Sequence, residues 1–152
     1  MLLRSPKNLK ELEFCINAYL EINDDSFLFV DTKKILRRLE LYWKKGYYVK
    51  IVEEDSEIIG WMYANIIDID HIEYPVYQQF YCQSIVSGIK AFKVIKLLHE
   101  DLIRDAERKG IQLIISNGSQ FDSNFTFSKI LEKLGWIRRN YINIWKTSHY
   151  QE

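Results

Sequence analysis

Gln79-Phe-Tyr-Cys-Gln-Ser-Ile-Val86 is an apolar run of strand character, and beyond Ser87-Gly88 it passes into a segment, Ile89 to Gly110, of a different period. There Phe92, Ile95, Leu98, Leu102 and Ala106 recur at helical spacing. Gly110 is placed to stop that helix, because glycine adopts the left-handed conformation of a helix end without steric cost. Ile111-Gln-Leu-Ile-Ile115 follows at once, a short continuous apolar run of the kind buried on both faces of a sheet. Strand, long helix and strand in this order predict a crossover with the two strands parallel, and so an α/β domain.

The flanks extend the pattern. Downstream, Asn124 opens a shorter helix with Phe127, Ile130, Leu131 and Leu134 on one stripe, closing at Leu134-Gly135-Trp136. Tyr141 to Trp145 then alternates as a final strand. Upstream, Tyr48 to Val52 and Ile58 to Ala64 flank the polar turn Glu54-Asp-Ser-Glu57 and predict a β-hairpin, while Asp68 to His71 and Pro75 break the strand pattern. Ser5-Pro6 reads as a cap for a first helix carrying Leu9, Leu12, Ile16, Tyr19 and Leu20 as far as Ile22. Asp31 reads as the cap of a second, with Ile35, Leu36, Leu39 and Trp43, stopping near Gly46. The segment from Asn23 to Val30 links the two. The sum is a mixed central sheet flanked by helices.

The 152 residues, 47% of them apolar, suffice for one well-filled core and predict a single domain over residues 1–152. Basic and acidic residues, 21 of each, cancel. No global field is left to hold a nucleic-acid backbone or an anionic membrane, so neither partner is expected. No apolar run approaches a membrane span and the first ten residues lack a signal-peptide pattern, so a cytoplasmic location is expected. Cys15 and Cys82 lie far apart and read as buried reduced thiols.

Against that neutral background the start of the long helix stands out. Lys90, Lys93 and Lys96 fall in its first turns with no acid between them. A helix N-terminus already carries partial positive charge, so three cations there are unfavourable for an isolated helix and point to a bound anion. The competing reading is a solvated helix face, since Glu100, Asp101, Arg104, Glu107 and Arg108 follow.

Two local patterns carry a resemblance to a family. Glu57-Ile-Ile-Gly60-Trp61 is similar to the second hairpin strand of the GNAT superfamily of acyl-CoA-dependent N-acyltransferases. Asn124, followed by position 131 and then Glu132-Lys-Leu-Gly-Trp136, resembles that family's closing helix, Asn-x-x-Ala-x-x-x-Tyr-Glu-Lys-Leu-Gly-Phe. The element order resembles it over nearly the whole chain. The resemblance implies an N-acetyltransferase that uses acetyl-CoA or another acyl-CoA and acylates a primary amine, on a small molecule or a protein.

It also implies site residues. Ser84, Ile85 and Val86 would hold the pantetheine arm through their backbone. The pyrophosphate loop, counted back from Gly110, falls on Lys90, Ala91, Phe92, Lys93, Val94 and Ile95, with Lys96 adding charge, and Asn124 would line the far side. Two departures accompany these matches: Lys93 and Ile95 stand where the family has small residues, and Leu131 stands where many members place a tyrosine that protonates the departing thiolate. Thr126 and Ser128 read as facing away from that position. The central strand lacks an acid, which leaves Tyr81 as the candidate catalytic oxygen, with a cleft-wall role as the alternative. Cys82 reads as a small buried hydrophobe. Asp68, Asp70 and His71 have spacing too loose for a metal site. Acids at Asp24, Asp25, Asp68, Asp70 and Glu73 favour a cationic acceptor. An aromatic final strand at a sheet edge suggests a homodimer. The alternative to an enzyme is a GNAT-like binding or regulatory module that has lost transfer.

Overall fold

Residues with alternating polarity become strands whose two faces serve two separate helical layers. The computed structural model describes residues 1–22, 31–70, 72–116, 126–139 and 142–151. In it β1 (Leu2–Arg4), α1 (Leu9–Ile22), α2 (Thr32–Lys44), β2 (Tyr48–Glu54) and β3 (Glu57–Ile67) come first. The chain continues through β4 (Val76–Ser84), α3 (Gly88–Lys109), β5 (Leu113–Ser116), α4 (Thr126–Lys133), β6 (Ile137–Arg139) and β7 (Ile142–Lys146). The sheet has seven strands in the order β1-β2-β3-β4-β5-β7-β6. The expected hairpin is β2–β3, turning through Asp55 and Ser56, which both have positive φ (51° and 67°). That mirror-image turn matches the natural twist of the two strands. β5 returns parallel to β4 after α3, as the strand–helix–strand order requires.

Sheet pleat separates two cores. On one face Tyr48, Val52, Met62, Ala64, Tyr77 and Ile114 meet Val94, Leu98, Leu102 and Ala106 of α3 and Leu131 of α4. On the other, Val49, Ile51, Trp61 and Tyr63 meet Leu12, Cys15 and Ile16 of α1 and Leu39 of α2. Far along α3, Tyr48 donates to Asp101 at 2.9 Å, and Asp105 joins Tyr77 (2.5 Å) and Lys109 (2.8 Å). These contacts fix the direction of α3, so that its N-terminus lies beside the end of β4. Gly110 ends the helix at φ 69°.

Two expectations are corrected. The first helix is capped by Asn8, whose side chain accepts from the Glu11 N–H at 3.1 Å, not by Ser5. Residues 2–4 instead add an edge strand to β2, and Arg4 is held there by Glu11 at 2.8 Å and by Glu53. The final strand is not an edge either: β7 sits between β5 and β6, which removes the ground given for edge-to-edge pairing of subunits. The edge is β6, which carries Arg138 and Arg139, a charged strand of the kind that resists strand addition. Asp31 does cap α2, accepting from the Lys34 N–H at 3.1 Å.

Burial pushes the Cys15 thiol up to about 12 and also raises the partly buried Cys82. Among the described residues no three potential metal ligands gather, and His71 lies outside them. No helix among them is long and apolar enough to cross a membrane.

Candidate functional site

The sheet opens between β4 and β5. Among the described residues their pairing covers Tyr77↔Ile114, Gln78↔Ile115 and Gln79↔Ser116, whereas β4 continues beside β3 to the pair Gly60↔Ser84. At the point of divergence the β3–β4 register shifts between Tyr63 and Ala64, which leaves Phe80 as an extra residue in β4. Such a bulge bends its strand and re-aims the side chains around it. Beyond it, the Ile85 N–H donates to the Ile59 carbonyl at 2.9 Å, toward β3. Backbone direction alternates along a strand, so the N–H groups of Cys82 and Ser84 face the opposite way, into the opening. This corrects the expected pantetheine contacts by one detail: Ile85 spends its N–H on β3, while Ser84 offers its own.

The first turn of α3 stands at the mouth of this opening. Ser87 is the N-cap, but its side chain makes no capping bond. The N–H groups of Gly88, Ile89 and Lys90 are therefore left without helical acceptors, as at any helix start. Gly88 has φ 65°, and beyond its chain neighbours and its own helix backbone nothing lies within 4 Å of where a Cβ would be. A glycine is needed for that backbone, and the space before it is open.

The counted register placed the phosphate loop later, at Lys90 to Ile95. In the structure Lys93, Val94 and Ile95 lie within the helix, where their N–H groups are spent, and Val94 and Ile95 are buried in the core. Ala91 donates to the Ser87 carbonyl at 3.4 Å, and Phe92 is partly buried. The N–H groups left without helical acceptors are those of Gly88, Ile89 and Lys90. The signal missed in the sequence was the serine–glycine pair itself, an N-cap residue followed by the residue that adopts a positive φ most readily.

The lysines divide. Lys90 pairs with Glu54 at the end of β2, and that hydrogen bond raises the lysine and lowers the carboxylate. Lys96 lies 3.7 Å from Glu100 one turn on. The compensating acids thus come from the hairpin and from the next helical turn, which a scan of residues 90–96 could not see. Lys93 has no ion pair among the described residues and remains beside the opening.

On the α3–α4 face a line of buried polar side chains crosses the foot of the opening. Gln79, Ser116, Asn143 and Ser128 are at most 1% exposed. Ser116 Oγ donates to Gln79 Oε1, and Asn143 Nδ2 donates to Ser128 Oγ at 3.1 Å. Gln79 Nε2 and Asn143 Oδ1 are buried without a partner. Ser128, read as facing elsewhere, in fact shares the inward face of α4 with Leu131, which is fully buried in the core and has no proton to donate. The side chain of Thr126, and Asn124 altogether, lie outside the described residues.

Tyr81 projects from the opposite face. Its ring stacks on Trp61 at 5.5 Å between centroids and meets Tyr19 edge-on at 4.8 Å. Gln83 beside it accepts from Trp61 Nε1 and donates to the Ala18 carbonyl, both at 3.0 Å, which ties α1 to the open half of β4. Tyr81 is partly buried and forms an aromatic wall on the side of the opening away from α3.

No protein-family model and no curated protein matches the chain. Solved structures do. A putative acetyltransferase from Salmonella typhimurium, determined with acetyl-CoA, superposes with a TM-score of 0.74 at 14% identity, over 99% of this chain and 96% of that one. A ribosomal-protein-alanine N-acetyltransferase from Brucella melitensis gives 0.71 at 12% identity, over 95% and 96%. A putative acetyltransferase of the GNAT family from Desulfovibrio desulfuricans gives 0.71 at 10% identity, over 95% and 98%. Identity is low throughout and the likeness is one of architecture, carried by nearly every element of both chains: the fold of this protein is that of the GNAT acyltransferases.

Proposed function

We propose that the protein is an acyl-CoA-dependent N-acyltransferase that moves an acetyl group to a primary amine. The observation that carries this reading is the meeting of a strand edge, unpaired among the described residues, with an unpaired helix start. The N–H groups of Cys82 and Ser84 suit an extended, amide-bearing arm, and those of Gly88 to Lys90 suit a phosphate. The open space before Gly88 fits a bulky anion approaching the backbone. Lys93 adds charge at the same place, while Lys90, paired with Glu54, and Lys96, paired one turn on, contribute less. The acetyl-CoA of the Salmonella structure supports acetyl-CoA as donor.

When bound, the donor supplies an activated acyl carbon. The chain's own residues hold it at the strand edge. An acceptor reaches the opening from the Tyr81 side, where the Tyr81 hydroxyl accepts a hydrogen bond from the attacking amine and orients it, while the amine's proton passes to solvent. Positioning supplies most of the acceleration in such a site.

Release of free thiol from acetyl-CoA, followed over a panel of polyamines, aminoglycosides and peptides with free N-termini, tests the reading. Turnover with at least one amine is expected. Lys90→Gln together with Lys93→Gln is expected to raise the KM for acetyl-CoA roughly tenfold and to leave kcat nearly unchanged, because these cations bind the donor equally before and during reaction. Tight binding without turnover on any amine would favour a GNAT-like binding module, and no binding would overturn the reading.

A further inference from the structure

Leu131, which stands where the resembling family places a tyrosine, cannot donate to the departing thiolate, and the buried polar line offers a group that can. Gln79 is fully buried, yet its Nε2 has no acceptor. Its Oε1 is engaged by the Ser116 hydroxyl, which fixes the carboxamide and leaves the nitrogen as the group still to be satisfied. Among the described residues Gln79 is also the last of β4 paired with β5, and it comes immediately before the bulge, so it stands at the vertex of the opening. A second unsatisfied atom, Asn143 Oδ1, lies in the same line of side chains. A buried donor without a partner is a standing cost to the fold, and one that a bound group accepting a hydrogen bond would remove.

We propose that the Gln79 carboxamide, oriented by Ser116, donates a hydrogen bond to the departing thiolate of the acyl donor in place of the missing tyrosine. This assignment rests on the acyltransferase reading. In the step itself the amine nitrogen forms a C–N bond to the thioester carbonyl carbon, the C–S bond breaks, and its electron pair passes to sulfur. The proton lost by nitrogen reaches sulfur through solvent. Gln79 gives up no proton: its N–H stabilises the anion, which an amide can do at any pH.

The test reads the ionisation of the thiol of free CoA bound to the protein, followed by thiolate ultraviolet absorbance as pH is raised, beside calorimetric affinities for CoA and acetyl-CoA. In the wild type the bound thiol is expected to ionise at lower pH than CoA in solution. Gln79→Leu should make that ionisation about 10-fold to 100-fold less favourable, the range for a hydrogen bond to a charged group. Acetyl-CoA, which carries no thiolate, should bind Gln79→Leu within about twofold of the wild type, since the assigned bond forms only as the thiolate develops. Ser116→Ala, which keeps the amide but frees it to rotate, should fall between. Equal thiol ionisation in wild type and Gln79→Leu overturns the assignment. If Gln79→Leu does not fold, an unchanged ionisation in Ser116→Ala overturns it instead. Failure of the wild type to bind CoA is seen separately and removes the acyltransferase reading first.

Discussion

Gly60→Ala is expected to lose about 3 kcal/mol of folding stability, the upper end of the cost of forcing extra volume into a packed core. A Cβ at Gly60 would lie 2.3 Å from Val94 Cγ1 and 3.0 Å from the Gln83 carbonyl oxygen. Neither neighbour can move freely: Val94 is fully buried in the first turns of α3, and the Gln83 carbonyl belongs to the backbone of β4. The glycine therefore sets how closely α3 lies on the sheet at the mouth of the opening. Val94→Ala removes the closest atom, and the double variant Gly60→Ala/Val94→Ala should be more stable than the sum of the two single costs allows, by roughly 1–2 kcal/mol. Urea unfolding of the four proteins of this cycle measures it. A Gly60→Ala protein within about 0.5 kcal/mol of the wild type, the usual range of harmless surface changes, would mean that α3 does not rest on the sheet here.

The second large effect is a dependence on pH. His99 is fully buried on α3 between the rings of Phe127 and Trp136, at 5.6 and 5.2 Å between centroids. Its Nδ1 lies 2.8 Å from the Ile95 carbonyl, which fixes Nδ1 as the protonated nitrogen of a neutral ring. Burial lowers it to about 4. In the unfolded chain a histidine titrates near 6.5, so the unfolded state takes up a proton that the folded state refuses. Stability from this group is complete above about pH 6.5 and is lost as pH falls through 4, to a total of about 3 kcal/mol. Glu11, which its hydrogen bond to Arg4 holds at about 2, and other lowered carboxylates add acid sensitivity at lower pH, so the comparison must be made with a variant. His99→Leu should flatten the stability profile between pH 6.5 and 4 relative to the wild type. Parallel profiles would show that the ring is charged or exposed in the fold.

Much of the architecture was legible from local periodicity. The hairpin, the strand–helix–strand crossover and the Asp31 cap each follow from a few residues, and each is present. What escaped depended on partners distant in sequence. Residues 2–4 are a strand only because β2 offers an edge and Arg4 finds Glu11 and Glu53. Residues 137–139 are short and basic, with no apolar alternation to mark them, and they pair only because β7 passes beside them.

The site divides in the same way. That the end of β4 and the start of α3 come together could be read from chain order. The helix start was read within one residue, at Ile89 against Gly88, but the phosphate loop counted back from Gly110 fell inside the helix, at Lys90 to Ile95. Lys90 looked uncompensated until the turn of the hairpin brought Glu54 to it. The polar line from Gln79 to Ser128 was invisible, since its members come from four elements and none has a distinctive neighbour in sequence. Ser128 was misread because facing on a short helix depends on where the helix starts. Asn124 and the link from Asn23 to Val30 lie outside the described residues.

The central claim is that an acyl-CoA lies in the opening between β4 and β5 with its phosphates at the first turn of α3. Titration of the isotope-labelled protein with acetyl-CoA, followed by backbone amide resonances, addresses it residue by residue. Saturable shifts concentrated at Cys82, Ser84 and Gly88 to Lys90, with those of β1 and the C-terminal end of α3 unmoved, are the predicted result. Saturation without shifts at Ser84 and Gly88, or no change at millimolar acetyl-CoA, would contradict it.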